Sequence, residues 1–168
     1  VASFTFGILD AAQVARLHAA GCLVVGTATT VTEARAWAGV GVDAVCASGT
    51  EAGGHRGTFL GDFTASQVGT LALVPRCVDA VNIPVIAAGG IMDGRGIAAA
   101  QALGAQAAQM GTAFLACPES GIGPAYRQAL AQARDTDTRL TRVFSGRPAR
   151  GIVNAMMEAL AAEEDRGP

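Results

Sequence analysis

One unit recurs along this chain of 168 residues: a short apolar segment, a loop rich in Gly, Ser or Thr, and an Ala-rich amphipathic segment. The apolar segments are hydrophobic on both faces, which is typical of strands buried in a parallel sheet. Strands that alternate with helices indicate a parallel sheet with helical crossovers. The predicted strands are Ala2–Phe6, Leu23–Thr27, Asp43–Ala47, Pro84–Ala88 and Ala107–Met110.

The Ala-rich segments predict the helices that connect these strands. Asp10 and Asp93 stand at N-cap positions, where a short polar side chain accepts hydrogen bonds from the first helical amides. Thr30–Glu33 and Thr64–Gln67 have the spacing of capping boxes, and Gly21 is placed to end the first helix in the left-handed conformation. The predicted helices are Ala11–Ala20, Thr32–Val40, Ala65–Val81, Gly94–Leu103, Gly123–Arg134 and Ala149–Ala162.

The number of units leaves two architectures open, an open doubly wound sheet and a closed barrel. A (β/α)8 barrel has eight strands, whereas five strand–helix units are recognisable here. In a barrel, about three units would therefore be absent. The chain would then be a fragment of a longer protein, or another chain would supply the missing part. An unpaired sheet edge of this kind favours association, for example as a homo-oligomer, but the sequence leaves the oligomeric state open.

The composition excludes several classes of protein. Hydrophobic residues make up 51% and charged residues 15%, which indicates an ordered globular chain. A net charge of -2 without a basic run argues against nucleic-acid binding. No apolar stretch reaches the roughly 18 residues of a membrane span, and a signal peptide is not recognisable. The four cysteines lack the spacing of a metal or redox site, so we expect a cytoplasmic protein with reduced thiols.

Loops that contain glycine follow two consecutive strands. Gly89-Gly90 comes after Pro84–Ala88, and the next strand runs into Gly111-Thr112. Glycine lets the backbone approach a ligand closely, and free amides at the start of the following helix favour an anion. A single pair is more often only a tight turn, but barrels build their phosphate site from the last two strand–helix loops. Because the dinucleotide fingerprint G-x-G-x-x-G is missing, a cofactor with a phosphate tail, such as FMN, fits best.

A longer glycine-rich loop, from Ser48 to Gly57, follows the strand Asp43–Ala47 and carries His55. Imidazole titrates near neutral pH, which suits a general base or a hydrogen-bond donor. Glycines on both sides of His55 would let it approach a bound ligand. The alternative is an ordinary histidine in a surface loop, and the flanking glycines favour the functional interpretation.

Other notable side chains have structural interpretations. His18 lies in the last turn of a helix, where a cation interacts favourably with the helix dipole. Glu51 more often anchors its own loop than acts in catalysis, and Arg56 is more often solvated than bound to an anion. Trp37 and Tyr126 lie in helical segments and are expected to be packing residues.

Three segments together resemble the nitronate monooxygenases, formerly called 2-nitropropane dioxygenases. They are Ala47–Gly57 (ASGTEAGGHRG), the long run Ile83–Ser120, and Phe144–Asn154 (FSGRPARGIVN). That family has a TIM-barrel fold with a small helical insertion near its C-terminal end, and FMN is its cofactor. The resemblance implies that residues 1–168 form one domain, the C-terminal portion of a (β/α)8 barrel, with the helical insertion beginning near residues 120–168.

The resemblance also implies roles for individual residues. His55 would be the catalytic residue, which deprotonates a neutral nitroalkane or stabilises an anionic nitronate. The reaction is the oxidation of alkyl nitronates or nitroalkanes by oxygen to a carbonyl compound and nitrite, with the flavin carrying the redox step. Gly89, Gly90, Gly111 and Thr112 would bind the FMN phosphate, Gly53 and Gly54 would approach the flavin, and Thr27 and Ser48 would line it.

Three alternatives remain open at this point. An FMN-dependent enoyl-acyl-carrier-protein reductase has a similar A-G-G-H loop and phosphate half, but uses a nicotinamide cofactor as reductant. A truncated barrel could also be a non-catalytic assembly or phosphate-binding module. A barrel enzyme that binds a sugar phosphate without flavin would explain the glycine pairs, although it explains the loop of His55 less well.

Overall fold

The computed structural model describes residues 1–164, and the chain divides into two compact units. Unit 1 comprises Val1–Ala52 and Gly57–Met110, and unit 2 comprises Gly53–Arg56 and the chain from Gly111 onward. The strands are β1 (Ala2–Phe4), β2 (Val24–Ala28), β3 (Ala44–Ser48), β4 (Gly54–His55), β5 (Val85–Ala88), β6 (Ala107–Gln109), β7 (Thr138–Thr141) and β8 (Ala149–Ile152). The helices are α1 (Ala11–Ala19), α2 (Val31–Gly39), α3 (Thr70–Val78), α4 (Gly94–Ala102), α5 (Thr112–Leu115), α6 (Pro124–Gln132), α7 (Ala155–Ala159) and α8 (Ala161–Glu164).

Unit 1 contains a five-stranded parallel sheet with the strand order β1-β2-β3-β5-β6. Each of its strands overlaps one of the five predicted strands, which confirms the predicted parallel α/β arrangement. The register places Thr27 opposite Cys46 and Ser48 opposite Ala88. Since the strands are parallel, their carboxyl ends, with the loops that follow them, share one edge of the sheet.

The core of unit 1 is formed by apolar side chains from the sheet and from helices α2 and α3. The indole of Trp37 lies against the backbone of Gly26, where a Cβ atom would be 2.1 Å from Trp37 Cδ2. Its Nε1 donates a hydrogen bond to the Thr27 carbonyl at 3.0 Å. Its ring packs edge-on against the ring of Phe59, with 5.9 Å between the ring centroids. Trp37 is therefore a packing residue, as predicted. Other fully buried side chains here are Val24, Val45, Leu73, Val74, Cys77 and Val85.

Capping contacts confirm the predicted starts of α1 and α2 to within one residue. Asp10 and Gln13 form a reciprocal capping box, with distances of 2.7 and 2.9 Å, and Gly21 adopts a φ of +75° after α1. Thr30 accepts a hydrogen bond from the Glu33 amide at 3.2 Å, but the capping box predicted at Thr30–Glu33 is only half formed, because the Glu33 carboxylate binds Thr29 instead. These local contacts fix where α1 and α2 begin, because they satisfy amides that have no partner within the helix.

The predicted helix Ala65–Val81 is wrong at its start. Residues Thr64–Ser66 form a single 3-10 turn, and α3 begins only at Thr70, after Gly69. The capping box predicted at Thr64–Gln67 is also absent, since Gln67 Nε2 donates instead to the Phe63 carbonyl at 2.8 Å. The start of α3 is fixed by a distant carboxylate, which local spacing could not reveal.

Unit 2 contains an antiparallel sheet with the strand order β4-β8-β7. The predicted helix Ala149–Ala162 is wrong here, because Ala149–Ile152 pairs with β7 as a strand and α7 begins only after Asn154. Cross-strand pairing with a distant segment overrides the helix propensity of the sequence. Tyr126, expected to be a packing residue, is 45% exposed. The predictions of one domain over residues 1–168 and of a helical insertion near 120–168 stay predictions, and residues 165–168 lie outside the described part.

All four cysteines are free, and Cys46 and Cys77 are buried. Burial raises the pKa of the Cys46 thiol to about 12 and that of Cys77 to about 11, with a smaller contribution to the latter from the Glu33 charge.

Among the helices of residues 1–164, none has the length and hydropathy that crossing a bilayer requires.

Candidate functional site

The glycine pair that follows β5 adopts a backbone that other residues rarely reach. Gly89 has a φ of +106° and Gly90 a φ of +70°, in the region where a Cβ atom causes strain. A Cβ atom at Gly89 would be 2.8 Å from Thr70 Oγ1 and 3.2 Å from the amide of Gly49. Glycine is thus required here by conformation and by space, and the turn, half-buried at Gly89 and exposed at Gly90, presents backbone rather than side chains.

The start of α4 differs from the sequence-based expectation of free amides. The Asp93 carboxylate caps this helix, accepting hydrogen bonds from the Arg95 amide at 2.9 Å and the Gly96 amide at 3.4 Å. Arg95 also forms an ion pair with Asp93 at 2.6 Å, and its hydrogen bonds lower the pKa of that carboxyl. These two amides are therefore occupied by the protein itself.

The ends of β3 and β5 bring several predicted residues together within unit 1. Ser48 is half-buried at the end of β3, and the next amide, of Gly49, donates to the Ala88 carbonyl at 2.9 Å. The loop that begins at Ser48 thus runs beside the Gly89-Gly90 turn. Thr27 is buried one strand away in β2, opposite Cys46.

Glu51 anchors its loop, as the sequence suggested. Its carboxylate accepts hydrogen bonds from the amide and the hydroxyl of Thr70, each at 2.9 Å. Thr70 is the first residue of α3, and the preceding N-cap residue, Gly69, has no side chain with which to cap the helix. A carboxylate from a distant loop therefore supplies the cap, and its negative charge also interacts favourably with the helix dipole.

Within unit 2, Gly53 and Thr112 lie close together. A Cβ atom at Gly53 would be 3.2 Å from Thr112 Oγ1, whereas a Cβ atom at Gly111 would have no neighbour within 4 Å. Thr112 begins the short helix α5 and Gly111 precedes it. The structure thus gives a packing reason for glycine at position 53 but none at position 111. Gly89-Gly90 belongs to unit 1 and Gly111-Thr112 to unit 2.

His55 is exposed in β4, and its Nε2 atom lies 2.6 Å from Ser145 Oγ. The pairing of β4 with β8 places His55 opposite Ala149 and Gly54, with a φ of +78°, opposite Arg150. Ser145 was not identified from the sequence as a site residue. The signal was present, since Ser145 is the second residue of the FSGRPARGIVN segment that carries the family resemblance.

The structure also tests the expectations for His18 and Arg56. His18 Nε2 lies 2.9 Å from Asp43 Oδ2, and the Val24 amide, followed by His18, lowers the pKa of Asp43 through hydrogen bonds. This agrees with a structural role for His18. Arg56 was expected to be solvated, but it is buried, and its amide donates to the Pro148 carbonyl at 2.8 Å. That expectation is wrong because β4 draws Arg56 into the antiparallel sheet.

Glu33 is a fully buried carboxylate of unit 1, which its place in the capping-box spacing did not indicate. One oxygen accepts from the amide and the hydroxyl of Thr29, at 2.6 and 2.7 Å. The other accepts from the amides of Phe59 and Leu60, at 2.5 and 2.9 Å. Four donors satisfy this buried charge, so Glu33 joins the loop after β2 to the segment Thr58–Leu60.

The family model described as "Nitronate monooxygenase" matches residues 1–166. The chain is 49% identical to a probable nitronate monooxygenase of Staphylococcus saprophyticus, over 99% of this chain and 47% of that protein. It is 51% identical to a probable nitronate monooxygenase of Bacillus subtilis, over 93% of this chain and 45% of that protein. The chain spans about half the length of these curated relatives.

Two solved structures are similar to this chain over most of its length. The structure of nitroalkane oxidase from Streptomyces ansochromogenes matches 96% of this chain and 47% of its own, with a TM-score of 0.91 and 49% identity. The structure of FabK from Thermotoga maritima matches 99% of this chain and 52% of its own, with a TM-score of 0.81 and 39% identity. Together with the five-stranded parallel sheet, the first match confirms the predicted fold class, an α/β fold of the (β/α)8-barrel type.

Proposed function

Because this chain belongs to the nitronate monooxygenase family, we propose that it takes part in the FMN-dependent oxidation of alkyl nitronates or nitroalkanes by oxygen. The products would be a carbonyl compound and nitrite. The observation that carries the proposal is the hydrogen bond of 2.6 Å between His55 Nε2 and Ser145 Oγ. A hydroxyl at this distance orients one ring nitrogen of an exposed imidazole, as a general base requires.

The residues present fit a phosphate-tailed flavin. Gly89-Gly90 presents a backbone turn with positive φ values of +106° and +70°, and any side chain at these positions would be strained. We propose that this turn approaches the FMN phosphate, and that Gly111 and Thr112 contribute a backbone amide and a hydroxyl to it. Thr27, Ser48, Gly53 and Gly54 are the proposed neighbours of the flavin ring. When bound, FMN would supply the redox chemistry of the reaction.

His55 is the proposed acid–base residue. The imidazole of His55, whose Nε2 atom lies 2.6 Å from Ser145 Oγ, is proposed to accept the α-proton of a nitroalkane. The resulting imidazolium would then stabilise the negative charge of the nitronate. With a substrate that is already a nitronate, no proton is removed and His55 would act only through its charge and hydrogen bonds. Ser145 holds the ring in both cases.

The test compares the two histidines of the chain, which makes a matched pair. In the presence of FMN and propionate-3-nitronate or a nitroalkane, we expect oxygen uptake and nitrite release without any nicotinamide. His55→Asn should lower the rate with a neutral nitroalkane about 10²- to 10⁴-fold, and should affect the nitronate less. His18→Asn, which removes only the contact with Asp43, should leave the rate unchanged.

Other outcomes would decide between the alternatives. Reduction of a crotonyl thioester by NADH, without oxygen uptake, would support the enoyl reductase. A colourless protein whose melting temperature does not rise with FMN would support a non-catalytic module. Equal losses in His55→Asn and His18→Asn would mean that His55 has no special role.

A further inference from the structure

Thr70 and Glu51 form a polar pair beside the Gly89-Gly90 turn, all within unit 1. Thr70 is buried at the first position of α3. Its amide donates to both Glu51 oxygens, at 2.9 and 2.9 Å. In this way the Glu51–Thr70 pair ties the loop after β3 to the start of α3.

The Thr70 hydroxyl also reaches the glycine turn. Its Oγ1 atom lies 2.9 Å from the Gly89 carbonyl oxygen, 3.3 Å from that of Ala88 and 2.9 Å from Glu51 Oε2. A hydroxyl donates one hydrogen, so these three oxygens share a single donor. The side chain of Thr70 thus lies between Glu51 and the backbone of the turn, within hydrogen-bond distance of both.

The glycines around this pair are packed directly against it. A Cβ atom at Gly49 would be 2.0 Å from Thr70 Oγ1 and 2.4 Å from Glu51 Oε2. A Cβ atom at Gly89 would be 2.8 Å from Thr70 Oγ1, and one at Gly90 would be 3.2 Å from Glu51 Cβ. Three glycines therefore meet the same two side chains, and the close approach is needed to form these contacts.

From this arrangement we infer that Glu51 and Thr70 are positioning residues, which hold the Gly89-Gly90 turn in the conformation that receives the phosphate of FMN. The inference rests on the proposed function. Neither residue is assigned a contact with the cofactor. They act through the backbone, since glycine reaches many conformations readily and a turn of two glycines keeps one shape only when surrounding contacts select it.

The experiment uses Thr70→Val, which removes the hydroxyl but keeps the branched shape, and Thr70→Ser, which retains the hydroxyl. FMN binding is titrated by flavin fluorescence, and hydrogen exchange of the Gly89–Ile91 amides is measured without FMN. We expect Thr70→Val to raise the Kd for FMN about tenfold and to speed exchange at the turn, because it removes a buried hydrogen bond. Thr70→Ser should stay close to the parent protein.

Two further variants complete the test. Glu51→Gln keeps one oxygen acceptor but replaces the other with a donor, and should weaken FMN binding in the same direction even if Thr70→Val does not fold. Thr32→Val is the matched control, since Thr32 is exposed in the first turn of α2. It should change neither the Kd nor the exchange of the turn.

The outcomes separate this inference from the function on which it rests. If the parent protein binds FMN and Thr70→Val and Glu51→Gln bind it equally tightly, the pair is merely structural and the inference is overturned, whatever happens to the melting temperature. If the parent protein does not bind FMN, the proposed function itself fails, and the inference fails with it. Rescue by Thr70→Ser, with loss in Thr70→Val, supports the inference.

Discussion

The two units of the chain are built by different means. Unit 1 is a parallel sheet with helical crossovers, and its fully buried side chains include Trp37, Leu73 and the valines of three neighbouring strands. Unit 2 has short antiparallel strands, and among its described residues the buried apolar side chains are Ala149 and Met157. One unit is thus stabilised mainly by apolar burial, while the other depends more on strand pairing and polar contacts.

The difference shows which of the candidate residues rest on a buried framework and which are exposed. The glycine turn of unit 1 rests on a buried framework, which suits a group that must be held in a fixed conformation. His55 lies on β4 of the sparsely packed sheet of unit 2, and Ser145 lies in the turn between β7 and β8, where both side chains are exposed.

The largest expected effect tests this difference with the same substitution in a strand of each unit. Gly26→Ala would put a Cβ atom 2.1 Å from the buried ring of Trp37, and should lower the free energy of unfolding of unit 1 by at least about 3 kcal/mol. Gly151→Ala would meet Phe144 at 3.0 Å, but that ring is 40% exposed and can move, so less than about 1 kcal/mol should be lost.

The measurement is urea unfolding followed by the fluorescence of Trp37, the single tryptophan of the chain, and by hydrogen exchange of β7 and β8. Gly39→Ala serves as the control, because a Cβ atom there has no neighbour within 4 Å. Equal losses for Gly26→Ala and Gly151→Ala would break the comparison, since both units would then be packed with the same tightness.

A smaller effect is expected from two carboxylates that each bind a backbone amide and a threonine hydroxyl. Glu33 is fully buried in unit 1, and Glu33→Gln places a donor against at least one of its donor partners, so about 2 kcal/mol should be lost. Glu164 is half-buried in unit 2, where it accepts from Thr141 Oγ1 at 2.8 Å and from the Arg142 amide. Glu164→Gln should cost less than about 1 kcal/mol.

Urea titrations of the two variants measure these costs, and Glu158→Gln is a control on an exposed carboxylate. A larger cost for Glu164→Gln than for Glu33→Gln would contradict the view that buried framework contacts dominate in unit 1. Faster hydrogen exchange of the Phe59 and Leu60 amides in Glu33→Gln would support that view, because these two amides donate to the Glu33 carboxylate.

The smallest perturbation is chemical labelling of the thiols, which leaves the sequence unchanged. Burial raises the pKa of Cys46 to about 12 and that of Cys77 to about 11, so neither forms a thiolate near neutral pH. We expect a maleimide to label the half-buried Cys22 and Cys117 in the native protein, and to label Cys46 and Cys77 only when unit 1 unfolds. Mass spectrometry of peptides would identify the labelled sites, and rapid native labelling of Cys46 would contradict a tightly packed unit 1.

The sequence predicted unit 1 well because its signals are local. Apolar strands, capping residues such as Asp10 and Asp93, and the left-handed Gly21 all act within a few residues along the chain. The errors lie where a distant contact decides. The start of α3 depends on Glu51, nineteen residues away, and the strand Ala149–Ile152 depends on pairing with β4 and β7.

The candidate site divides in the same way. Glycine-rich loops pointed to Gly89, Gly90 and His55 without any structure, because glycine pairs after strands have a recognisable physical meaning. Their roles toward a cofactor stay predictions. The contact of His55 with Ser145 spans 90 residues, and the four donors of Glu33 come from two separate loops, so neither could be derived from local spacing.

The sequence by itself determined the alternation of strands and helices, the parallel sheet and the positions of the glycine turns, because hydrophobic periodicity and backbone preferences act over a few residues. Only the tertiary structure decided that Gly26 makes room for Trp37, and that Glu51 caps a helix from another loop. It alone showed that His55 joins an antiparallel sheet with Ser145 beside it. These contacts join residues distant along the chain, and their energies depend on burial and geometry that arise only when the chain has folded.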